Sequence, residues 1–222
     1  MARPLIISDC DEVLLHMVVP FSQWLDEAHD IHFDVENGSF LDAIRHKHDG
    51  TLVYSDRVWE LLGSFFDTEM PRQYPCEGAV EAIGRLSQHA DIAILTNLLD
   101  HRGEARAEQL SAVGINAPIH TNQGGKGRKI AGIIADYAPS MTFFVDDLAQ
   151  HHYSALEHAP PSWRIHMIGE PLVAQAVKPA PAAHARIDRW AEAEAWIMER
   201  IESGAEPTPM DISQFEEPQY DH

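Results

Sequence analysis

Two aspartates directly follow the first apolar run of the chain. Residues 5–8 lead into Asp9-Cys10-Asp11, so two carboxylates stand two residues apart where a buried strand would end. Neighbouring acids repel each other and are costly to desolvate. Such a pair suits either a shared divalent cation or a nucleophile beside a proton shuttle. A lone Asp-x-Asp is more often a solvated turn with helix-capping acids, so the pattern needs support from elsewhere in the chain.

Three later apolar runs end in a similar way, with polar or small residues at their carboxyl ends. Their β-branched and aromatic residues favour buried strands, and residues 115–120 form a weaker candidate strand. The runs and their ends are residues 91–95 with Thr96-Asn97, residues 141–145 with Asp146-Asp147, and residues 163–168 with Gly169.

Apolar residues at helical spacing separate these runs, in residues 79–86 and 130–137. Short strands that alternate with helices favour parallel βαβ units. In such sheets, ligands bind beyond the carboxyl ends of the strands. The polar residues that follow each run should therefore meet at one edge of the sheet.

Residues 16–73 interrupt this alternation and predict a small, mostly helical insert above the first strand. The core is then formed by residues 1–15 and 74–202. An apolar stripe at positions i, i+3, i+4, i+7 and i+8 marks the clearest helix of the insert. The stripe consists of Val58, Leu61, Leu62, Phe65 and Phe66.

The carboxyl-terminal part of the chain predicts one more helix and a tail. The helix covers about residues 190–201, with Asp188 as its cap and Gly204 as its stop signal. Residues 203–222 contain five acids and three prolines but no Lys or Arg. This composition predicts an acidic, flexible tail.

Four motifs, taken in order along the chain, resemble those of the haloacid dehalogenase superfamily, specifically its Asp-x-Asp phosphatase and phosphotransferase branch. The resemblance covers about residues 4–17 and 74–170. It implies a three-layer, Rossmann-like α/β fold with a parallel sheet and an inserted cap. Each motif alone is weak, whereas the four together are specific. They are Asp9-Cys10-Asp11-Glu12-Val13, Ile94-Leu95-Thr96-Asn97, Gly125-Lys126-Gly127 and Phe144-Val145-Asp146-Asp147.

The first two motifs carry the groups that would act on the substrate. The resemblance implies that Asp9 is the nucleophile and that Asp11 is the general acid and base. Thr96 would bind the transferring phosphoryl group through its hydroxyl, and the N–H groups around Asn97 would add donors.

The resemblance also implies a Mg²⁺ cofactor, which would offset the repulsion between the acids and the phosphate. Its protein ligands would be the Asp9 side chain, the Asp11 main-chain carbonyl and an acid of the fourth motif. We favour Asp147 for that place, since Asp146 stands where glycine is common, but Asp146 remains an alternative metal ligand.

The third motif supplies a positive charge. We favour Lys126, because it is nearest the glycine-rich start of a helix, with Asp146 to orient it; Lys129 is the rival. Glu12 departs from the family pattern, in which glycine is frequent at this place, and is expected to alter the turn or the route to the insert.

Histidines are numerous, and we expect most of them at the surface. This applies to His46 and His48 in the insert and to His151 and His152 after the fourth motif. His16 follows the first motif closely and is a candidate for substrate contact.

Composition limits the partners of the protein. Its 16 Lys and Arg against 35 Asp and Glu give a formal net charge of −19, which disfavours nucleic acid and anionic membrane as partners. The chain has two cysteines, an amino terminus without a signal-peptide pattern and no membrane-length apolar run. These features predict a cytoplasmic protein. A small phosphorylated molecule is the partner that the resemblance implies, and the oligomeric state is left open.

The predicted function is Mg²⁺-dependent hydrolysis of a phosphomonoester of a small or medium metabolite through an aspartyl-phosphate intermediate. A phosphotransferase with the same intermediate, a dehalogenase of the same superfamily and a catalytically silent binding module remain alternatives. Asp11 argues against the dehalogenase, since the departure of a halide needs no proton donor.

Overall fold

A six-stranded parallel sheet forms the centre of the fold in this computed structural model, which describes residues 2–36 and 40–216. The strands, with those of the insert, are β1 (Leu5–Ser8), β2 (Ile31–Phe33), β3 (Ile44–His46), β4 (Asp91–Thr96), β5 (Ile119–Thr121), β6 (Thr142–Asp146), β7 (Ser162–His166) and β8 (Ala185–Arg186). The helices are α1 (Val18–His29), α2 (Ser55–Thr68), α3 (Ala79–Leu86), α4 (Gly103–Ala112), α5 (Gly127–Tyr137), α6 (Ala149–His158), α7 (Pro171–Ala176) and α8 (Trp190–Ser203).

The order of the parallel strands is β5-β4-β1-β6-β7-β8. Ile6 of β1 pairs with Ile92 on one side and Phe143 on the other, and β1 is fully buried because helices cover both faces of the sheet. On one face Ile6 packs in a cluster with side chains of α3 and α8, and on the other Ile7 packs with Ile130 of α5 and Ala155 of α6. The predicted three-layer, Rossmann-like α/β fold is confirmed.

The predicted strands are present, with differences at the sheet edges. A weak candidate strand was predicted at residues 115–120, where the structure has only the short β5 near its end. The two-residue strand β8 was not predicted. Helices α4, α6 and α7 were not predicted either. In α4 only Arg106 and Leu110 are buried, so its sequence carries little apolar periodicity.

The insert contains more than helices. Helices α1 and α2 pack with an antiparallel pair, β2 and β3, that the sequence did not predict. Three-residue strands are too short to show an alternating pattern reliably. Phe21, Phe33 and Phe65 lie in a separate apolar cluster, which gives the insert its own core.

Two adjacent chain segments connect the insert to the core. Residues 12–17 lead out after β1, and residues 73–76 lead back. The N–H of His16 donates to the carbonyl of Tyr74 at 2.9 Å, and that of Cys76 donates to Leu14 at 2.9 Å. We call these two hydrogen-bonded segments the neck.

The carboxyl-terminal region differs from expectation in two ways. Helix α8 ends at Gly204, which has a positive φ of 66° as predicted, but Asp188 does not cap the start of this helix; its carboxylate instead accepts from the N–H of Ile168 at 3.0 Å. The tail was predicted to be flexible. In its described part, however, the carbonyl of Ala205 accepts a hydrogen bond from Trp163 Nε1 at 3.3 Å. Residues 217–222 lie outside the described residues.

None of the helices described in the structure has the length and apolar character required to cross a membrane.

Candidate active site

The carboxyl ends of β1, β4 and β6 bring the predicted site residues to one edge of the sheet. Lys126, just before α5, is fully buried, and its Nζ lies 2.8 Å from Asp9 Oδ1 and 2.7 Å from Asp146 Oδ2. The following Gly127 fits closely against α6, where a Cβ would overlap the carbonyl oxygen of Ser154. Lys129 is exposed, so the lysine placed beside the acids is Lys126.

Three carboxylates, two of which contact this ammonium group, lie close together here. Ligand atoms of Asp9, Asp146 and Asp147 all lie within 4.8 Å of one another. Burial raises the pKa of Asp9 to about 6, with Lys126 opposing and Asp146 adding to the rise. Burial, and then the charges of Asp146 and Asp9, raise the pKa of Asp147 well above its ordinary value. One lysine therefore leaves negative charge uncompensated, and a cluster of hard oxygen donors of this kind suits Mg²⁺.

The two acids of the fourth motif have different surroundings. Asp146 is fully buried; its Oδ2 accepts from Lys126 and its Oδ1 accepts from the N–H of Leu148 at 2.9 Å. Asp147 lines the cavity above the site. Asp146 therefore contacts Lys126 and Asp147 reaches the cavity, while the role of Asp147 as a metal ligand stays a prediction.

Two buried histidines hold the main chain of this motif. His152 Nε2 lies 3.0 Å from the carbonyl oxygen of Asp146, and His166 Nε2 lies 2.7 Å from that of Asp147. Burial lowers the pKa of His152 to about 3 and that of His166 to about 4. Both rings are therefore neutral near pH 7, with Nε2–H assigned as the donor because a carbonyl can only accept.

The lowered pKa of His166 predicts an acid-side loss of stability. Between about pH 6.5 and pH 4 the unfolded chain binds a proton at this residue and the folded protein does not, so stability falls as the pH falls. In His166→Gln, the amide can still donate to Asp147 but does not titrate. We expect the variant to lose about 2 kcal/mol less than the wild type between pH 7.5 and 5, as measured by urea unfolding without metal. Parallel pH dependences would contradict this.

Asp11 is held by two side chains from distant parts of the chain. Its Oδ1 accepts from Gln73 Nε2 at 2.6 Å and from an Arg106 nitrogen at 2.9 Å, and its Oδ2 lies 3.1 Å from the same guanidinium group. Arg106 is fully buried and also donates to Gln73 Oε1 at 3.1 Å and to Cys10 Sγ at 3.3 Å. Since Gln73 belongs to the neck, the proposed acid and base is tied to the connection between core and insert.

Thr96 and Asn97 follow β4 at the same edge. Thr96 is fully buried, and its hydroxyl has no hydrogen-bond partner among the described residues. The Asn97 amide donates to the carbonyl of Gly124 at 3.0 Å and accepts from Asn122 at 2.9 Å, so its side chain is engaged by a neighbouring loop. Phosphate contact by Thr96 and by the backbone near Asn97 stays a prediction.

Glu12 joins the core to the insert. It adopts a positive φ of 58°, the region that favours glycine. Its carboxylate accepts from the N–H groups of Met17 and Val18, at 2.7 and 2.6 Å, where α1 begins. Burial raises its pKa to about 7. Glu12 therefore holds the turn after β1 in a conformation that glycine favours, and its carboxylate connects this turn to the start of α1.

The histidine predictions need correction. His151 and His152 are buried, not at the surface, because α6 lies against the sheet. His16 packs on Tyr74, with ring centroids 4.8 Å apart, and its Nδ1 lies 3.4 Å from a Glu170 oxygen. It is not among the described residues that line the cavity.

Three residues at or near the site were missed by sequence reasoning. Arg106 and Gln73 contact Asp11 from distant parts of the chain, and no local pattern marks either. His151 lines the cavity and lies 3.4 Å from the Asn97 amide. It lies in the first turn of α6, four residues after Asp147, and its closeness in sequence to the fourth motif is the signal that could have pointed to it.

Comparison with solved structures agrees with the resemblance seen in the motifs. A predicted phosphoglycolate phosphatase from Haemophilus somnus has 14% sequence identity and a TM-score of 0.59, covering 87% of this chain and 97% of that protein. A haloacid dehalogenase-type hydrolase from Bacillus subtilis, bound to magnesium, has 13% identity and a TM-score of 0.59, covering 89% and 99%. A 2-haloacid dehalogenase from Pseudomonas syringae has 11% identity and a TM-score of 0.53, covering 90% and 99%.

The chain thus has the fold of the haloacid dehalogenase-like hydrolases. No protein-family model and no curated protein sequence matches it. The similarity to the solved structures defines the architecture, and the chemistry must be argued from the residues at the sheet edge.

Proposed function

We propose that the protein is a Mg²⁺-dependent phosphomonoester hydrolase that works through an aspartyl-phosphate intermediate. One observation carries the proposal: Asp9 lies against the buried Lys126, beside Asp146 and Asp147, with Asp11 two residues further on. A nucleophile, positive charge and a proton-transfer group at a strand end are the parts that phosphoryl transfer through a carboxylate requires.

The first half of the reaction forms the intermediate. Asp9 Oδ1 accepts from Lys126 and from the N–H of Cys10 at 2.7 Å, which leaves Oδ2 for attack on phosphorus. The new oxygen–phosphorus bond forms as the bond between phosphorus and the ester oxygen breaks, and Asp11, in the protonated form that the second half of the reaction restores, gives a proton to that oxygen. In the second half, Asp11 takes a proton from water as the water attacks the same phosphorus, and the carboxylate of Asp9 is released.

Charge around the phosphoryl group decides whether this reaction proceeds. Lys126 and the Thr96 hydroxyl would stabilise negative charge on the phosphoryl oxygens. Mg²⁺, when bound by Asp9, Asp147 and the Asp11 carbonyl, would withdraw charge from the substrate and offset the repulsion from the acids.

A phosphate-release assay over a panel of phosphorylated metabolites, with and without Mg²⁺, tests the proposal. We expect turnover that depends on the metal. If the metal binds and no ester is hydrolysed, the proposed hydrolase activity is wrong. Transfer of phosphate to an added alcohol would identify a phosphotransferase, and halide release from a 2-haloacid would identify a dehalogenase.

Metal binding can be checked without any substrate. Mg²⁺ at 100 times its dissociation constant should stabilise the protein by about 2.7 kcal/mol, seen as a rise in melting temperature. In Asp147→Asn this rise should be lost, because one anionic ligand is replaced by a neutral amide. Asp136→Asn, which removes an equal charge from the exposed face of α5, is the control. An equal Mg²⁺ response in the two variants would contradict this assignment.

Arg106 should matter most when the leaving group is poor. Without its guanidinium, Asp11 loses a partner that fixes its orientation, and proton donation is the step that suffers. We expect Arg106→Ala to slow the hydrolysis of alkyl phosphates by about 10²-fold and that of 4-nitrophenyl phosphate far less. The matched control is Arg85→Ala, which breaks an exposed pair with Glu194. Equal slowing of both esters would indicate a general loss of structure.

A further inference from the structure

A cavity of about 630 Å³ extends from the acidic edge of the sheet to the insert. Asp9, Asp11 and Asp147 line it on the core side. A substrate phosphate bound at these residues would place its leaving group against the opposite wall. That wall is mainly apolar and includes Phe33, Val35, Phe40, Trp59, Leu62 and Phe66.

Aromatic rings dominate this wall. The rings of Phe40 and Trp59 are stacked, with centroids 5.8 Å apart and planes 22° apart. Phe33 meets Phe40 edge to face, with centroids 5.3 Å apart. Flat and apolar faces of this kind bind rings well, by burial of apolar area and by aromatic contact.

The wall offers little to an anionic group. Arg102 is the one Arg or Lys among the described residues that line the cavity. Its guanidinium is held by Asp67 through two hydrogen bonds, of 2.6 and 3.0 Å, and by the carbonyl of Gly63 at 3.0 Å. Asp34 adds negative charge to the lining, and so does Glu12 in its ionised form. Among the described lining residues, an anionic leaving group would therefore meet acids and apolar rings, and the guanidinium group of Arg102 is already paired with a carboxylate.

From this wall we infer that the site takes phosphomonoesters of uncharged, ring-bearing alcohols or phenols, and discriminates against leaving groups that carry a carboxylate or a second phosphate. The inference rests on the proposed function and names its substrate class. The phosphate is held by the charged groups of the sheet edge, and the ring by the insert.

Two esters of similar reactivity test the inference. We expect kcat/KM for benzyl phosphate to exceed that for 4-carboxybenzyl phosphate by about tenfold or more. Leu62→Lys places a cation on the wall and should narrow this ratio. Two control variants should leave the ratio of the two kcat/KM values unchanged. Leu62→Gln alters the wall without adding charge. Tyr54→Lys adds the same charge at a residue that is 86% exposed and outside the cavity lining.

Equal kcat/KM values for the two esters would overturn the inference and leave the proposed hydrolase activity standing. The inference would also be overturned if Leu62→Lys and Tyr54→Lys changed the ratio of the two kcat/KM values equally, because the preference would then reflect the overall charge of the protein and not the wall. Calorimetry with benzylphosphonate and 4-carboxybenzylphosphonate keeps the two proposals separate. If no ester is hydrolysed, the activity is wrong, and tighter binding of the carboxylated phosphonate would overturn the substrate class as well.

Discussion

Asp9→Asn should abolish phosphate release, lowering kcat on the order of 10⁴-fold or more. An amide oxygen is a poor nucleophile towards phosphorus, so no aspartyl phosphate can form at this position. The change is nearly isosteric, and the amide oxygen can still accept from Cys10 and Lys126. Loss of activity should therefore occur in a folded protein.

Rapid quenching with a ³²P-labelled ester provides the measurement. Wild-type protein should carry label that hydroxylamine removes, as expected of an acyl phosphate, and Asp9→Asn should carry none. Asp136→Asn, an exposed acid on α5, should behave like the wild type in both assays. Metal-dependent turnover that persists in Asp9→Asn would eliminate this carboxylate as the nucleophile.

Lys126→Met should strongly destabilise the protein. Its ammonium group is fully buried between Asp9 and Asp146, and removal of one partner from a buried ion pair costs about 3–5 kcal/mol, because the remaining charge is left uncompensated. Activity should also fall sharply, since the phosphoryl group loses a fixed positive charge.

Lys129→Met is the matched control, because Lys129 lies three residues after Lys126, in α5, and is exposed. Urea unfolding at pH 7.5 without metal should show the large loss of free energy of unfolding in Lys126→Met alone. A similar small loss of free energy of unfolding in both variants would mean that the buried ion pair adds little to stability. A loss of activity confined to Lys129→Met would assign the catalytic role to Lys129.

The strand-end motifs could be predicted from the sequence because they depend on local patterns. Each buried strand of this sheet is a short apolar run, and the topology then brings the residues that follow to one edge. Asp9, Lys126 and Asp146 meet there as predicted. The motifs also ranked Lys126 above Lys129, which agrees with its position at the helix start.

The surroundings of Asp11 could not be predicted in this way. Arg106 lies on a helix with little apolar periodicity, and Gln73 lies in the returning segment of the neck. A buried charge pair depends on tertiary contacts across 95 residues of chain, which no sequence window spans. The insert hairpin and β8 were missed for a simpler reason, since two or three residues do not establish a period.

The neck also bears on protein engineering. Gln73 shares hydrogen bonds with Asp11 and Arg106, and Arg106 in turn contacts Gln109, whose amide donates to the carbonyl of Met70 at 2.6 Å. A chimera that replaced the insert between residues 16 and 73 would remove some of these partners while retaining the others. Transplanting substrate preference from a relative would therefore require the junction to be moved to the amino-terminal side of Met70, so that the proton-transfer group keeps its neighbours.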